Sequence, residues 1–155
     1  MRRTKSAIST TQGRSHANGL RSWTAVCDFL VESFPGCEKE PAGGREVVRV
    51  GGKVLAYLAI NERSRPSGVP ENEEFVIVRI DLDRRKHLLE VSPETFFVTP
   101  HYKNYPGVIV RLSTVDQKEL RGLLVDAWRL VAPKRLVRDF DTKALCEVRE
   151  RLPRV

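Results

Sequence analysis

The sequence predicts an α+β fold: a two-layer sandwich whose antiparallel sheet of about five strands is covered by helices, in the order α-β-β-β-α-β-β-α. Three observations predict it. Trp23, Val26, Cys27, Leu30 and Phe34 recur at i, i+3, i+4, i+7 and i+11, the spacing of one helical stripe. Leu120, Leu123, Leu124, Ala127, Trp128 and Val131 make a second stripe near the other end. Between them lie short β-branched runs, several joined by turn residues alone. Such runs favour antiparallel pairing, and helices at both ends can cover one face of the sheet.

Each element has a local signal. Ser22 is a natural N-cap for the first helix, and Pro35-Gly36 ends it. Val47–Val50 and Val54–Ile60 flank Gly51-Gly52, which can supply the positive φ angles of a two-residue hairpin turn. Asn61 to Glu74, with Pro66 and Pro70 and no periodicity, reads as a long mobile connection. Phe75–Ile80 is a strand, and Asp83 can cap a short helix through about Glu90. Strands at Phe96–Thr99 and Val108–Leu112 follow. The last long helix starts at Thr114 or Asp116 and stops at Pro133, whose ring cannot continue it. A marginal helix over Asp141–Leu152, with Leu145, Val148 and Leu152 on one side, needs a surface to dock on.

A chain of 155 residues fits one domain. The expected division is a flexible basic tail over 1–21, a folded domain over 22–137, and a basic C-terminal extension with a short helix over 138–155. No apolar run approaches the ~18 to 20 residues of a membrane span, and the N-terminus lacks the apolar stretch of a signal peptide, so the expectation is a soluble, cytoplasmic protein. Cys27, Cys37 and Cys146 are odd in number and show no Cys-x-x-Cys spacing; reduced thiols are expected, rather than disulfides or a zinc site.

The net charge of +7 divides unevenly. Arg2, Arg3, Lys5, Arg14 and Arg21 stand in a segment without an acid. From Arg129 onward there are eight basic against four acidic residues, whereas Trp23 to Trp128 carries 14 against 16. The ends are basic and the body is near neutral, so the ends are the candidates for loose attraction to phosphate.

Four segments in their order make the chain similar to a known family. Phe34-Pro35-Gly36, Gly51-Gly52-Lys53-Val54, Thr99-Pro100-His101-Tyr102 and Leu120 through Trp128–Pro133 resemble the pattern of the MmcQ/YjbR family. The likeness covers about residues 22–137. It implies a CyaY-like fold with an antiparallel sheet, and a double-wing mode of DNA binding.

The residues themselves leave alternatives open. Arg45, Arg49 and Lys53 near the first hairpin, and Lys103 in the second loop, can lie along a phosphate backbone or simply solvate strand faces. His101 and Tyr102 can touch phosphate and stack on an exposed base, or pack against the last helix and satisfy the turn's backbone. Arg129, Lys134, Arg135 and Arg138, at and beyond the end of the last long helix, can form a phosphate-binding edge or complement the helix dipole. Arg84-Arg85-Lys86-His87 is a further basic group, poorly placed for the dipole at a helix start. The acids Glu71, Glu73, Glu74, Asp81 and Asp83 fit neither a calcium loop nor a paired metal centre, and His101 has no identifiable orienting partner for catalysis. No Gly-x-x-x-x-Gly-Lys motif occurs.

The expectation is therefore a non-enzymatic protein, without cofactor, metal or catalytic residues, that grips DNA non-specifically through hairpin tips and basic tails. The alternative is a protein-interaction module with no nucleic-acid role.

Overall fold

The computed structural model describes residues 19–61 and 63–151. The expected basic tail falls mostly on residues 1–18, outside the described residues; its last residues, 19–21, are held. Leu20 is fully buried, and Arg21 donates to the carbonyls of Leu112 and Val115 at 2.9 and 2.8 Å.

The elements are α1 (Trp23–Ser33), β1 (Cys37–Ala42), β2 (Arg45–Val50), β3 (Lys53–Leu58), β4 (Phe75–Arg79), α2 (Leu82–Val91), β5 (Phe96–Phe97), a 3-10 turn (Pro100–Tyr102), β6 (Gly107–Arg111), α3 (Gln117–Val131) and α4 (Lys134–Arg151). The class is the expected α+β, with six strands rather than about five, in the order β1-β2-β3-β4-β6-β5. All neighbours are antiparallel. The strand missing from the sequence reading is β1. Its Glu38-Lys39-Glu40-Pro41 looks like a loop, but charges and a proline are tolerated on a sheet edge, which is where it lies.

Other boundaries shift for local reasons. Asp81, not Asp83, caps α2, its carboxylate accepting from the Asp83 amide. The expected strand over 96–99 is only Phe96–Phe97, because Pro100 starts a 3-10 turn. The C-terminal helix begins at Lys134 rather than Asp141. Pro133 both stops α3 and sits just before α4, where its missing N–H costs nothing. Ser22 and Asp116 cap α1 and α3 as expected, accepting from Ala25 N and Glu119 N.

Central strands β4 and β6 are apolar on both faces. Val76, Val78, Val108 and Val110 join the helices in the main core, where Trp128 is fully buried. Trp128 stacks on Phe34 at 5.5 Å and donates to Pro35 O at 3.1 Å. Phe75, Ile77 and Ile109 point the other way, into a second cluster with Tyr102, Tyr57, Phe97, Tyr105 and Val69. Strands covered on both faces read as continuous apolar runs, and these do. The loop over 61–74 helps to cover that second face and is tied down rather than loose. Arg65 donates to the carbonyls of Glu73 and Pro70, and Thr99 Oγ1 donates to Arg63 O.

Among the described residues no helix is long and apolar enough to cross a membrane.

Candidate nucleic-acid interface

The structure separates the expected site residues into two places. The first is a corner. Gly51 and Gly52 adopt φ of 60° and 81°, as a tight two-residue hairpin requires. The tip rests on the α3–α4 junction: a Cβ added at Gly51 would stand 3.1 Å from Cγ and Cδ of Pro133. Lys53 therefore shares this corner with Lys134 and Arg135, residues some eighty positions away in sequence. All three are exposed, and none has an ion-pair partner among the described residues.

For two of them the dipoles of α3 and α4 act in opposite senses. Lys134 and Arg135 follow the end of α3 at Val131, but they also open α4, where the dipole is positive and cations are disfavoured. Arg129 does lie in the last turn of α3, but it is spent on structure: its Nη1 and Nη2 reach Asp141 Oδ2 and Oδ1 at 2.9 and 2.6 Å, clamping α3 to α4. That pairing raises the pKa of Arg129 and holds Asp141 below its ordinary 3.8. Arg49 is likewise engaged, donating to Glu40 Oε2 at 2.6 Å and to Gly52 O at 3.2 Å, and so buttresses the hairpin.

The second place is a groove of about 480 Å³ on the face of the sheet opposite the main core. Its walls are the β1–β2 hairpin (Ala42, Gly43, Arg45), Val47 and Val54, and the segment carrying His101, Tyr102 and Tyr105, with Tyr57 between. Tyr102 does not pack against the last helix. It is 7% exposed on this other face, 6.5 Å from the Tyr57 ring and 5.7 Å from that of Tyr105. The 3-10 turn gives the reason, since it folds the chain back over β3 and β4 instead of toward α3. His101 stands edge-on to Tyr102 at 4.8 Å and is exposed, as is Lys103.

Arg85 fixes this segment. Its guanidinium donates to the carbonyls of Tyr102, Lys103, Tyr105 and Gly107, at 3.3, 2.8, 2.7 and 3.1 Å. Of the basic run Arg84–His87, Arg85 is thus engaged in structure, and Arg84 pairs with Asp126. Gly107 is required beneath Tyr105, because a Cβ there would meet the ring at 2.7 Å.

Two groove residues escaped the sequence reading as a pair. Arg45 lies with its guanidinium 4.9 Å from the Tyr57 ring centroid. Burial, followed by a hydrogen bond that the Tyr57 hydroxyl donates to Tyr102 and by the neighbouring phenols, pushes the Tyr57 hydroxyl well above the ordinary range, and burial also raises Tyr105. Tyr57 and Tyr105 are therefore protonated at neutral pH. Arg45 was legible only as one of the cations near the first hairpin, and its meeting with Tyr57 depends on the pairing of β2 with β3.

Among the described residues no three His, Cys, Asp or Glu side chains converge as a metal site. Glu73 is held instead by Arg111 at 2.8 and 3.3 Å and by Ser113 at 2.9 Å.

Comparison with known proteins supplies the kinship. Residues 32–130 match the family model described as YjbR. Over 99 residues the chain is 36% identical to an uncharacterized protein of Mycobacterium bovis, the match covering 59% of this chain and 77% of the relative. Uncharacterized proteins from two strains of Mycobacterium tuberculosis match with the same identity and coverage. No solved structure matches the chain.

Proposed function

Because this chain belongs to the YjbR family, we propose that it is a non-enzymatic DNA-binding protein that grips the phosphate backbone without reading sequence. The observation that carries this reading is the packing of Gly51 on Pro133, which brings the hairpin bearing Lys53 to the helix corner bearing Lys134 and Arg135, three cations without an ion-pair partner among the described residues. Cations opening a helix stand against its dipole, and an anion bound there offsets that cost while meeting the free N–H groups of the first turn. A backbone phosphate is such an anion, and contacts of this kind give affinity without specificity. Arg49 and Arg129 act in this reading by holding the hairpin and the helix corner. His101, Tyr102 and Lys103 form the second contact, and residues 1–18 add loose electrostatic attraction.

Fluorescence anisotropy with a labelled duplex at low ionic strength tests the assignment. A chain lacking residues 1–18 retains binding, and Lys53→Glu combined with Lys134→Glu abolishes it. Binding that vanishes with the tail alone, and ignores the corner substitutions, contradicts the assignment.

A second reading, a protein-interaction module, draws on the outer half of α4, where Leu145 and Val148 are 63% and 50% exposed. Sedimentation of the full chain distinguishes it. A self-associating species lost on Leu145→Glu supports this second reading, and a monomer indifferent to that change removes it.

A further inference from the structure

We infer that the groove on the open face of the sheet is a nucleotide site, which takes one planar base against the tyrosine cluster and its phosphate against Arg45 and His101. The inference rests on the nucleic-acid reading for the source of the ligand, but not for the lining.

The groove's chemistry is one-sided. Its nine lining residues include Arg45 and His101 and no carboxylate, alongside three phenol rings and two valines. Such a lining fits a ligand with an apolar planar part and an anionic part, because the rings offer stacking surface and the cations meet the charge. Arg45 is the arginine that lines the groove among the described residues. Arg49, Arg84, Arg111 and Arg129 are each held by an acid, whereas Arg45 has no acidic partner among the described residues and lies over the Tyr57 ring. A guanidinium stacked on an aromatic ring keeps its edge donors free for a phosphate.

Size and rigidity agree. About 480 Å³ falls within the ~300–1,000 Å³ of small-ligand clefts. It suits one nucleotide better than a helix or a strand. The far wall is preorganised, since Arg85 binds four carbonyls of the 102–107 segment and Gly107 lets the Tyr105 ring settle on the sheet. Preorganised walls reduce the ordering that binding would otherwise require. The ligand can be a free nucleotide or an unpaired nucleotide of a nucleic-acid strand, and both present the same base and phosphate.

Calorimetric titration of the full chain with AMP, ribose 5-phosphate and adenosine tests the site, followed by a single-stranded oligonucleotide and its duplex. AMP is expected to bind one to one, with ribose 5-phosphate and adenosine each about tenfold weaker or more, since each lacks one half of the recognition. Arg45→Gln and Tyr57→Leu should each weaken AMP by about tenfold, while Lys86→Gln, on exposed α2, should not. If Tyr57→Leu loses its near-ultraviolet circular dichroism, Arg45→Gln alone decides. Displacement of the single strand by AMP identifies the strand as the source; AMP binding without displacement identifies the free nucleotide. AMP binding no tighter than ribose 5-phosphate, or unchanged in Arg45→Gln, overturns the inference. Duplex binding without nucleotide binding sinks this site alone, and the reverse pattern sinks the duplex reading while leaving the groove standing.

Discussion

Gly51 lies against Pro133 so closely that a side chain at Gly51 would press on the proline ring at 3.1 Å. This contact joins the tip of the β2–β3 hairpin to the point where α3 ends and α4 begins. It is why cations distant in sequence share one corner.

Gly51→Ala and Gly52→Ala should therefore differ. Both residues hold positive φ, so each alanine costs about 1 to 2 kcal/mol of backbone strain. Gly52 has open space around it, whereas Gly51 adds overpacking of about 1 kcal/mol or more. Urea midpoints should rank wild type above Gly52→Ala above Gly51→Ala, and equal losses would show that the proline contact is slack.

Arg85→Ala should loosen the wall of the groove. Four carbonyls lose one shared donor, and several of them are partly buried, so a cost of about 1 to 3 kcal/mol is expected. Hydrogen exchange should rise at Tyr102 to Gly107 and stay unchanged in α3. Exchange that rises uniformly would mean that Arg85 supports the fold as a whole rather than this segment.

Much of the fold was legible because its signals are local. The α1 and α3 stripes, their Ser22 and Asp116 caps and the Gly51-Gly52 turn each lie within a few residues of what they determine. The edge strand β1 was not legible. Its Glu38–Pro41 becomes a strand only by pairing with Glu46–Arg49, and its charges are those of an exposed edge. The start of α4 was hidden by Pro133, which serves as the stop of one helix and the approach to the next. The site was less legible still. Lys53, Lys134 and Arg135 were recognised singly, but their meeting depends on Gly51 touching Pro133. Arg45 and Tyr57 meet Tyr102 only through the return of the 3-10 turn across the sheet, a tertiary arrangement with no sequence period.

Acid should remove one identifiable contribution. Arg111 first, with Ser113 assisting, holds Glu73 below its ordinary 4.5. A carboxylate whose folded pKa is depressed contributes stability that is fully present above its unfolded pKa and is lost as pH falls through the folded one. Glu73→Gln should thus lower the urea midpoint at pH 7 and converge with wild type below that window. A deficit that persists unchanged at pH 2 would mean that packing, not charge, is what Glu73 supplies.

The three thiols should react unequally. Burial pushes Cys27 and Cys37 up to about 12, and both are shielded, whereas Cys146 is exposed on α4. The thiolate is the reactive form. Iodoacetamide at pH 8 should give one adduct rapidly, located at Cys146 by mass spectrometry, and three only after denaturation. Three adducts at similar rates would contradict the buried placement of Cys27 and Cys37.

The corner itself is tested most directly by the salt dependence of duplex binding. The slope of log affinity against log salt reports phosphate contacts at about 0.9 per contact on duplex DNA. Replacing Lys53, Lys134 and Arg135 by glutamine together should flatten that slope by about 2 to 3 while the fold, followed by circular dichroism, is kept. A slope identical to that of the wild type, in a folded variant, would show that this corner does not hold the phosphate backbone.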